Sequence, residues 1–321
     1  MLKPVKILCV GMIFCDTYVH GVDSGFMDLP KDTYVVADKL EFFFGGDAQN
    51  MAINLLRMGH VPKLIGCIGD DGNGMALTRE LQRIGMDISG IRTTQQAHTA
   101  NVIFVVDDTG SIHGMSYAGA NAYLQQTDVS DADLSAHTHL HLGSLGPLTA
   151  LNGQGAATLL RRAKMHGATT SMDISLPYGC WEDVAEALPH CDIFMPNDDE
   201  VLALTGLRDL DAIKALFAPY GLKVLVVKMG SEGVFVTDFV QDIRLPSLLH
   251  GDLVDVLGAG DAFCTGFISA YHNGLDLYNC TVYASTCSAL CLQTMGASNW
   301  GVNMNAIADT AKQLGHPLNA K

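Results

Sequence analysis

The 321 residues are poor in positive charge: 19 lysines and arginines stand against 34 aspartates and glutamates, a formal net charge of −15. So acidic a chain has no cationic excess for neutralising a polynucleotide or an anionic bilayer, which excludes both as bulk partners. Long apolar runs are missing as well, and no stretch approaches the ~20 uninterrupted apolar residues that cross a membrane as a helix. At the N-terminus Lys3 and Lys6 flank a short ILCVG where a signal peptide would carry a longer apolar region. No Cys-x-x-Cys occurs. The nine cysteines (Cys9, Cys15, Cys67, Cys180, Cys191, Cys264, Cys280, Cys287 and Cys291) are an odd number scattered through mostly apolar segments, which predicts reduced, buried thiols and a cytoplasmic protein. Repeats, low-complexity tracts and Pro/Ser linkers are also lacking, and the length suits either two average domains or one large α/β domain. What is present is apolar bulk: hydrophobic residues make up 48% and charged residues 17%, enough for a large globular core.

The stretch around which the rest is organised is Asp255-Val256-Leu257-Gly258-Ala259-Gly260-Asp261-Ala262-Phe263-Cys264-Thr265-Gly266-Phe267. An apolar helical pattern (Ala262, Phe263, Phe267, Ile268, Tyr271) follows the Gly-Ala-Gly, placing it where a loop becomes a helix. Small residues let the unsatisfied N–H groups of a helix start converge, and the helix dipole adds positive charge there. The turn is therefore an anion site suited to a phosphate. Asp261 would be repelled by that phosphate unless it has a chemical task. The task inferred is general base toward a hydroxyl that attacks the phosphoryl group held by the glycines. The plainer alternative is a helix cap in which Asp261 satisfies first-turn N–H groups.

A second glycine turn, Gly45-Gly46, opens a helix with apolar positions at 48, 51, 52, 55 and 58 and Gly59 as its C-cap. Two glycines let backbone approach a small ligand, and Asn50 offers both a donor and an acceptor. Residues 5–10 read as a buried parallel strand with Asp16 just past its end, where open α/β sheets bind ligands; a turn-forming aspartate is the alternative. Period-2 pieces at 33–37 and 40–44, then 99–106 and 111–117 around Asp107-Asp108-Thr109-Gly110, predict strands that interrupt a helix–strand alternation. Exposed Phe42-Phe43-Phe44 would be a liability on a monomer. His137, His139 and His141 would share one strand face, which suggests either a metal site or polar residues turned toward a helix or cleft. Asn197 and Glu200 have capping-box spacing at a strand-to-helix turn.

Residues 255–267 resemble the C-terminal signature of the ribokinase-like (PfkB) carbohydrate kinases, D-[TS]-[TV]-G-A-G-D-x-F-x-x-G-F, with Val256-Leu257 where hydroxyl residues are usual. Residues 45–59 are similar to the family's G-G-x-x-x-N-x-A-x-x-x-x-x-L-G, with Met58 before Gly59. Further similarities are the turn at 66–74, Gly119-Ala120-Asn121, the N-x-x-E of Asn197 and Glu200, the T-x-G-x-x-G at 228–233 and the closing Gly296-Ala297. The family's D-x-N-x-R segment is only partly matched: Asp173 is present, but Ser175 and Tyr178-Gly179 stand where Asn and an arginine are common.

The resemblance spans essentially 5–300, which implies a single domain over 1–321. It implies an α/β, ribokinase-like fold: a largely parallel central sheet flanked by helices, with a small β lid from about 17–44 and 99–119 that is often also the dimer surface, hence a homodimer. It implies transfer of the ATP γ-phosphoryl group to a hydroxyl of a small sugar. Asp261 would be the base, and the N–H groups of Gly258, Ala259 and Gly260 the anion hole. The substrate residues implied are Asp16, Gly45, Gly46, Asp47, Asn50 and Asn121. The nucleotide residues implied are Asn197, Glu200, Lys228, Gly230, Gly233 and Ala284, with Glu200 holding Mg²⁺ through water and Asp255 holding a monovalent cation such as K⁺. Asp16 and Asp47 together would repel a phosphorylated or carboxylated substrate, which favours a neutral sugar over a sugar acid. A nucleoside is the second choice. A catalytically silent sugar- or nucleotide-binding regulator is the alternative of another class, against which the retained Asp261 argues.

Overall fold

The structure, a computed structural model, describes residues 3–175, 180–301 and 303–318. Short Val/Ile/Leu-rich runs build the strands β1 (Lys6–Val10), β2 (Phe14–Val22), β3 (Lys39–Gly45), β4 (Val61–Gly69), β5 (Gly90–Thr94), β6 (Asn101–Asp107) and β7 (Ile112–Tyr117). They continue with β8 (His139–Leu145), β9 (Thr169–Ile174), β10 (Ile193–Phe194), β11 (Val224–Lys228), β12 (Val234–Thr237) and β13 (Asp242–Leu245). Nine of them form one sheet in the order β13-β12-β11-β10-β9-β8-β1-β4-β5, parallel from β11 to β5, with β12 and β13 antiparallel at one edge.

Both faces of this sheet are buried, which is why its strands read as unbroken apolar runs. Alternate residues enter different cores. Ile7, Cys9, Leu64 and Val226 pack under the helices Asp47–Met58, Ala259–His272 and Leu277–Leu292, whereas Leu8, Val10, Ile65 and Leu225 pack against Gln154–Met165 and Leu210–Phe217. One stripe on the first face is polar. His139 pairs with Thr169 and His141 with Ser171 across β8 and β9, and Asp173 follows on the same side. The helix Ala259–His272 lies along that stripe: Cys264 is within 3.8 Å of Asp173, and His272 Nε2 within 2.9 Å of Thr169 Oγ1.

The other four strands form a small sheet in the order β3-β2-β6-β7. It covers the expected lid segments and leaves Leu40, Phe42, Ile112, Met115 and Tyr117 half exposed or more. Two expectations need correction. The alternating piece at 33–37 is not a strand; β3 begins at Lys39, and Tyr34 and Val36 are 96% and 84% exposed, with no partner strand to bury their alternation. Asp16 does lie past the end of β1, yet within β2 and not as a turn former, because only three residues separate the two strands. The carboxyl ends of β1, β8, β9, β10 and β11 converge beside this sheet, bringing Gly11, Gly143, Asp173, Asn197 and Lys228 to one rim.

Candidate active site

Gly258 caps the helix Ala259–His272 in a left-handed conformation (φ 77°), and a Cβ there would collide with Ala297, so only glycine fits the turn. The carboxylate of Asp261, in the first turn, accepts from Asn50 Nδ2 at 2.8 Å. The cap role thus belongs to Gly258, and Asp261 is turned across to the other glycine turn. Burial, with the Asp173 carboxylate as the second cause, pushes the Asp261 carboxyl up to about 6. A carboxylate of that basicity accepts a proton near neutral pH better than an ordinary one.

Asn50 reaches Asp261 because Gly46, at φ 99°, lets the chain cross the backbone of Met12 and Ile13 on entering the helix Asp47–Met58. Asp47 Oδ1 accepts from the N–H groups of Met12 (3.0 Å) and Ala48 (2.6 Å). Its Oδ2 and the Oδ1 of Asn50 are buried acceptors with no partner among the described residues. Burial, then Asp173 and Asp261, hold the Asp47 carboxyl well above the usual carboxylate range. Asp16 packs against Gly45 and is pushed up to about 7 by burial. It also borders a side cleft of about 350 Å³ walled by Tyr18, Phe43, Ile84 and Met295. These acceptors call for a ligand rich in donors, as a polyol is.

Two expected residues act as braces. Asn121 is fully buried, and its amide both accepts from Ile13 N and donates to Ile13 O at 3.1 Å, so it braces the link from β1 to β2. Asp255 accepts from Leu257 N (3.0 Å) and Gly296 N (2.9 Å), tying the Gly-Ala-Gly turn to the closing Gly296-Ala297.

On the far side of the turn lies a cleft of about 460 Å³ bordered by Asn197, Lys228, Gly230, Gly233, Gly260 and Phe263. Asn197 and Glu200 form a reciprocal capping box at the start of Asp198–Thr205: Asn197 Oδ1 accepts from Glu200 N (2.8 Å), and Glu200 Oε2 accepts from Asn197 N (2.7 Å). Burial, opposed by Lys228, pushes the Glu200 carboxyl up to about 7. Lys228 ends β11, and its Nζ lies 3.8 Å from Asp173 Oδ2. Ala284 does not border the cleft. It packs inward against Gly266, and the cleft side of Leu277–Leu292 is made by Ser285, Ser288 and Ala289.

The histidines do not gather as a metal site, and no group of three or more ligating side chains suited to a metal occurs among the described residues. His137 precedes β8 and bonds to Asp133 O at 2.7 Å. His139 and His141 both meet Ser171 Oγ at 2.7 Å. The departures at Tyr178 and Gly179 lie outside the described residues.

Asp173 and Ser144 were not foreseen as site residues. The position of Asp173 at a strand end beside Gly143 is the signal that could have found it.

Comparison with known proteins gives the family and the fold. A family model described as pfkB family carbohydrate kinase matches residues 5–303. An ATP-dependent ribose-1-phosphate kinase of Halopiger xanaduensis is 32% identical over 253 residues, 79% of this chain and 81% of its own length. Among solved structures, Arabidopsis thaliana ribokinase complexed with ribose and ATP superposes with a TM-score of 0.83 at 21% identity, covering 97% of this chain and 99% of that one. A Methanocaldococcus jannaschii nucleoside kinase superposes with a TM-score of 0.80 at 20% identity, covering 98% and 100%.

Proposed function

The chain belongs to the pfkB family of carbohydrate kinases and is a phosphotransferase with an alcohol group as acceptor, and on that footing we propose that it moves the γ-phosphoryl group of ATP onto a hydroxyl of a small neutral sugar. The observation that carries this reading is the Asn50–Asp261 contact, which sets a carboxylate between the glycine turn and the acceptor-rich pocket. In the reaction the acceptor hydroxyl gives its proton to Asp261 as its oxygen bonds to the γ-phosphorus. The bond to the β–γ bridging oxygen breaks, and that oxygen keeps the electron pair on ADP. The N–H groups of Gly258, Ala259 and Gly260 at the helix start face the developing charge.

Asp16, Gly45, Gly46, Asp47 and Asn50 hold the sugar, with Asn121 as a brace. Asn197, Glu200, Lys228, Gly230 and Gly233 hold the nucleotide. Glu200 is a hard oxygen donor at the cleft and suits Mg²⁺ held through water, and the ion would supply charge neutralisation across the phosphates. Asp255 is the residue a monovalent cation such as K⁺ would use; the N–H groups of Leu257 and Gly296 already occupy its two oxygens.

The side cleft beside Asp16 favours a second reading, an acceptor with a flat apolar substituent such as a nucleoside. We further propose a single domain whose small sheet is the lid, a homodimer formed through the exposed face of that sheet, and a cytoplasmic location, where the nine free cysteines stay reduced.

The test is ADP release from MgATP over a panel of neutral sugars, sugar acids, sugar phosphates and nucleosides. Turnover confined to neutral sugars supports the first reading, turnover of nucleosides the second. Preference for a sugar phosphate would contradict the role given to Asp16 and Asp47.

A further inference from the structure

Lys228 is the only lysine or arginine among the described residues lining the nucleotide cleft. Its ammonium stands at the junction with the base, since a Cβ built on Gly260 would lie 3.4 Å from Nζ. Carboxylates surround it: Asp173 on β9, Glu200 at the rim and Asp261 on the base helix act on Lys228, and Asp47 lies in the same field. Without that single cation the field would repel any phosphoryl group brought to the glycine turn.

Asp173 is held from two sides. Gly143 and Ser144 form an irregularity in the pairing of β8 with β9, and Ser144 has a positive φ of 43°. That conformation is costly for a residue with a side chain, and here it aims the Ser144 N–H at Asp173 Oδ1 (2.9 Å). The other oxygen faces Lys228 Nζ at 3.8 Å, and Nζ donates a long contact to Cys264 Sγ at 3.9 Å. Both contacts are longer than a close charged hydrogen bond of about 2.8 Å, so the ammonium is drawn toward Asp173 while Cys264 takes one of its donors only weakly. An ammonium has three donors, and a phosphoryl group arriving at Gly260 would compete with long contacts and not with close ones.

We propose that Asp173 is a positioning residue for phosphoryl transfer: fixed by the strained Ser144, it presents the Lys228 ammonium to the γ-phosphoryl group at Gly260, making Lys228 specific for the group that is transferred. The assignment rests on the kinase reading and adds to it where the third phosphate is recognised. Lys228 then gains contact as charge shifts from the acceptor oxygen through phosphorus to the leaving oxygen of ADP, while the acceptor proton goes to Asp261.

The test is calorimetric titration of the intact protein and its Lys228→Met, Lys228→Arg and Asp173→Asn variants with MgATP and with MgADP. Wild type should bind both. Lys228→Met should weaken MgATP about tenfold or more and MgADP less than about threefold, the difference expected for one charged hydrogen-bonding partner. Lys228→Arg should recover most of the preference, and Asp173→Asn should lose part of it. Asp173→Asn carries a second readout that loss of packing would not move. The groups facing Asp261 are Asp173, Lys228, Asp47, Asn50, Glu200, Cys264 and Cys291, with His141 beside Asp173. Removing one negative charge from them should move the acid limb of kcat to lower pH. Equal weakening of both nucleotides by Lys228→Met, or none, would overturn the assignment and leave the kinase reading standing. Failure of wild type to bind either nucleotide would overturn both.

Discussion

At its first turn the helix Ala259–His272 sets Asp261 among Asp173, Lys228 and Asn50, and at its last it sets His272 against His139 and Thr169. Both ends bury titratable groups under the same sheet, yet they are built differently. At the first, carboxylates crowd one another with buried acceptors left open, and only one lysine offsets them. At the last, hydroxyls join the rings: Ser171 Oγ bridges His139 and His141, Thr169 Oγ1 bridges His139 and His272, and Ser269 Oγ meets His60 Nε2 at 2.8 Å. His60 Nδ1 accepts from Val5 N, so its Nε2 carries the proton and donates. A satisfied polar cluster serves the fold, and an unsatisfied one awaits a ligand.

The largest effect should come from the first end. Asp261→Asn keeps the shape and the contact with Asn50 but removes the base, and kcat should fall about 10²–10⁴-fold with nucleotide binding retained. A loss in binding instead would make the two ends alike, both structural. The next effect belongs to the last end. Ser171→Ala strands a ring nitrogen on each of His139 and His141 and should cost about 1–3 kcal/mol in denaturant unfolding, with kcat little changed.

The smallest effect is in the pH dependence of stability, where the two ends should oppose each other. Burial lowers the basicity of His139, His141 and His272, and takes His60 down to about 4. The unfolded chain therefore binds more protons below its ordinary histidine value of about 6.5, and stability is lost as pH falls from there toward 4. Asp16, Glu200 and Asp261 have raised values of about 7, 7 and 6, so the folded state binds more protons, and their burden eases as pH falls from there toward the ordinary carboxylate value of about 4. Ser171→Ala should alter the first slope and Asp16→Asn the second, read from melting temperature across pH. A single common slope unaffected by either change would erase the distinction.

The first end was the more legible in sequence because its signals are local. Gly258-Ala259-Gly260-Asp261 and Gly45-Gly46 each fix a turn and the helix after it within a few residues, and their positive φ values follow from glycine. What escaped depends on partners far along the chain. Asp16 lies on the small sheet because β2 pairs with both β3 and β6, which its own residues do not announce. The helix Leu277–Leu292 is apolar nearly all round, so no stripe showed that Ser285 and not Ala284 meets the cleft. The three alternating histidines read as one face, but β8 begins only at His139, and the hydroxyls that satisfy His139 and His141 come from β9.

The central claim is that Asp261 must be ionised to take the acceptor proton, and the pH dependence of kcat with the best acceptor tests it most directly. An acid limb near pH 6 that falls about tenfold per pH unit is expected, and it should be absent from the residual activity of Asp261→Asn. A kcat that stays flat from about pH 5 to about pH 8, or the same limb in the variant, would contradict it.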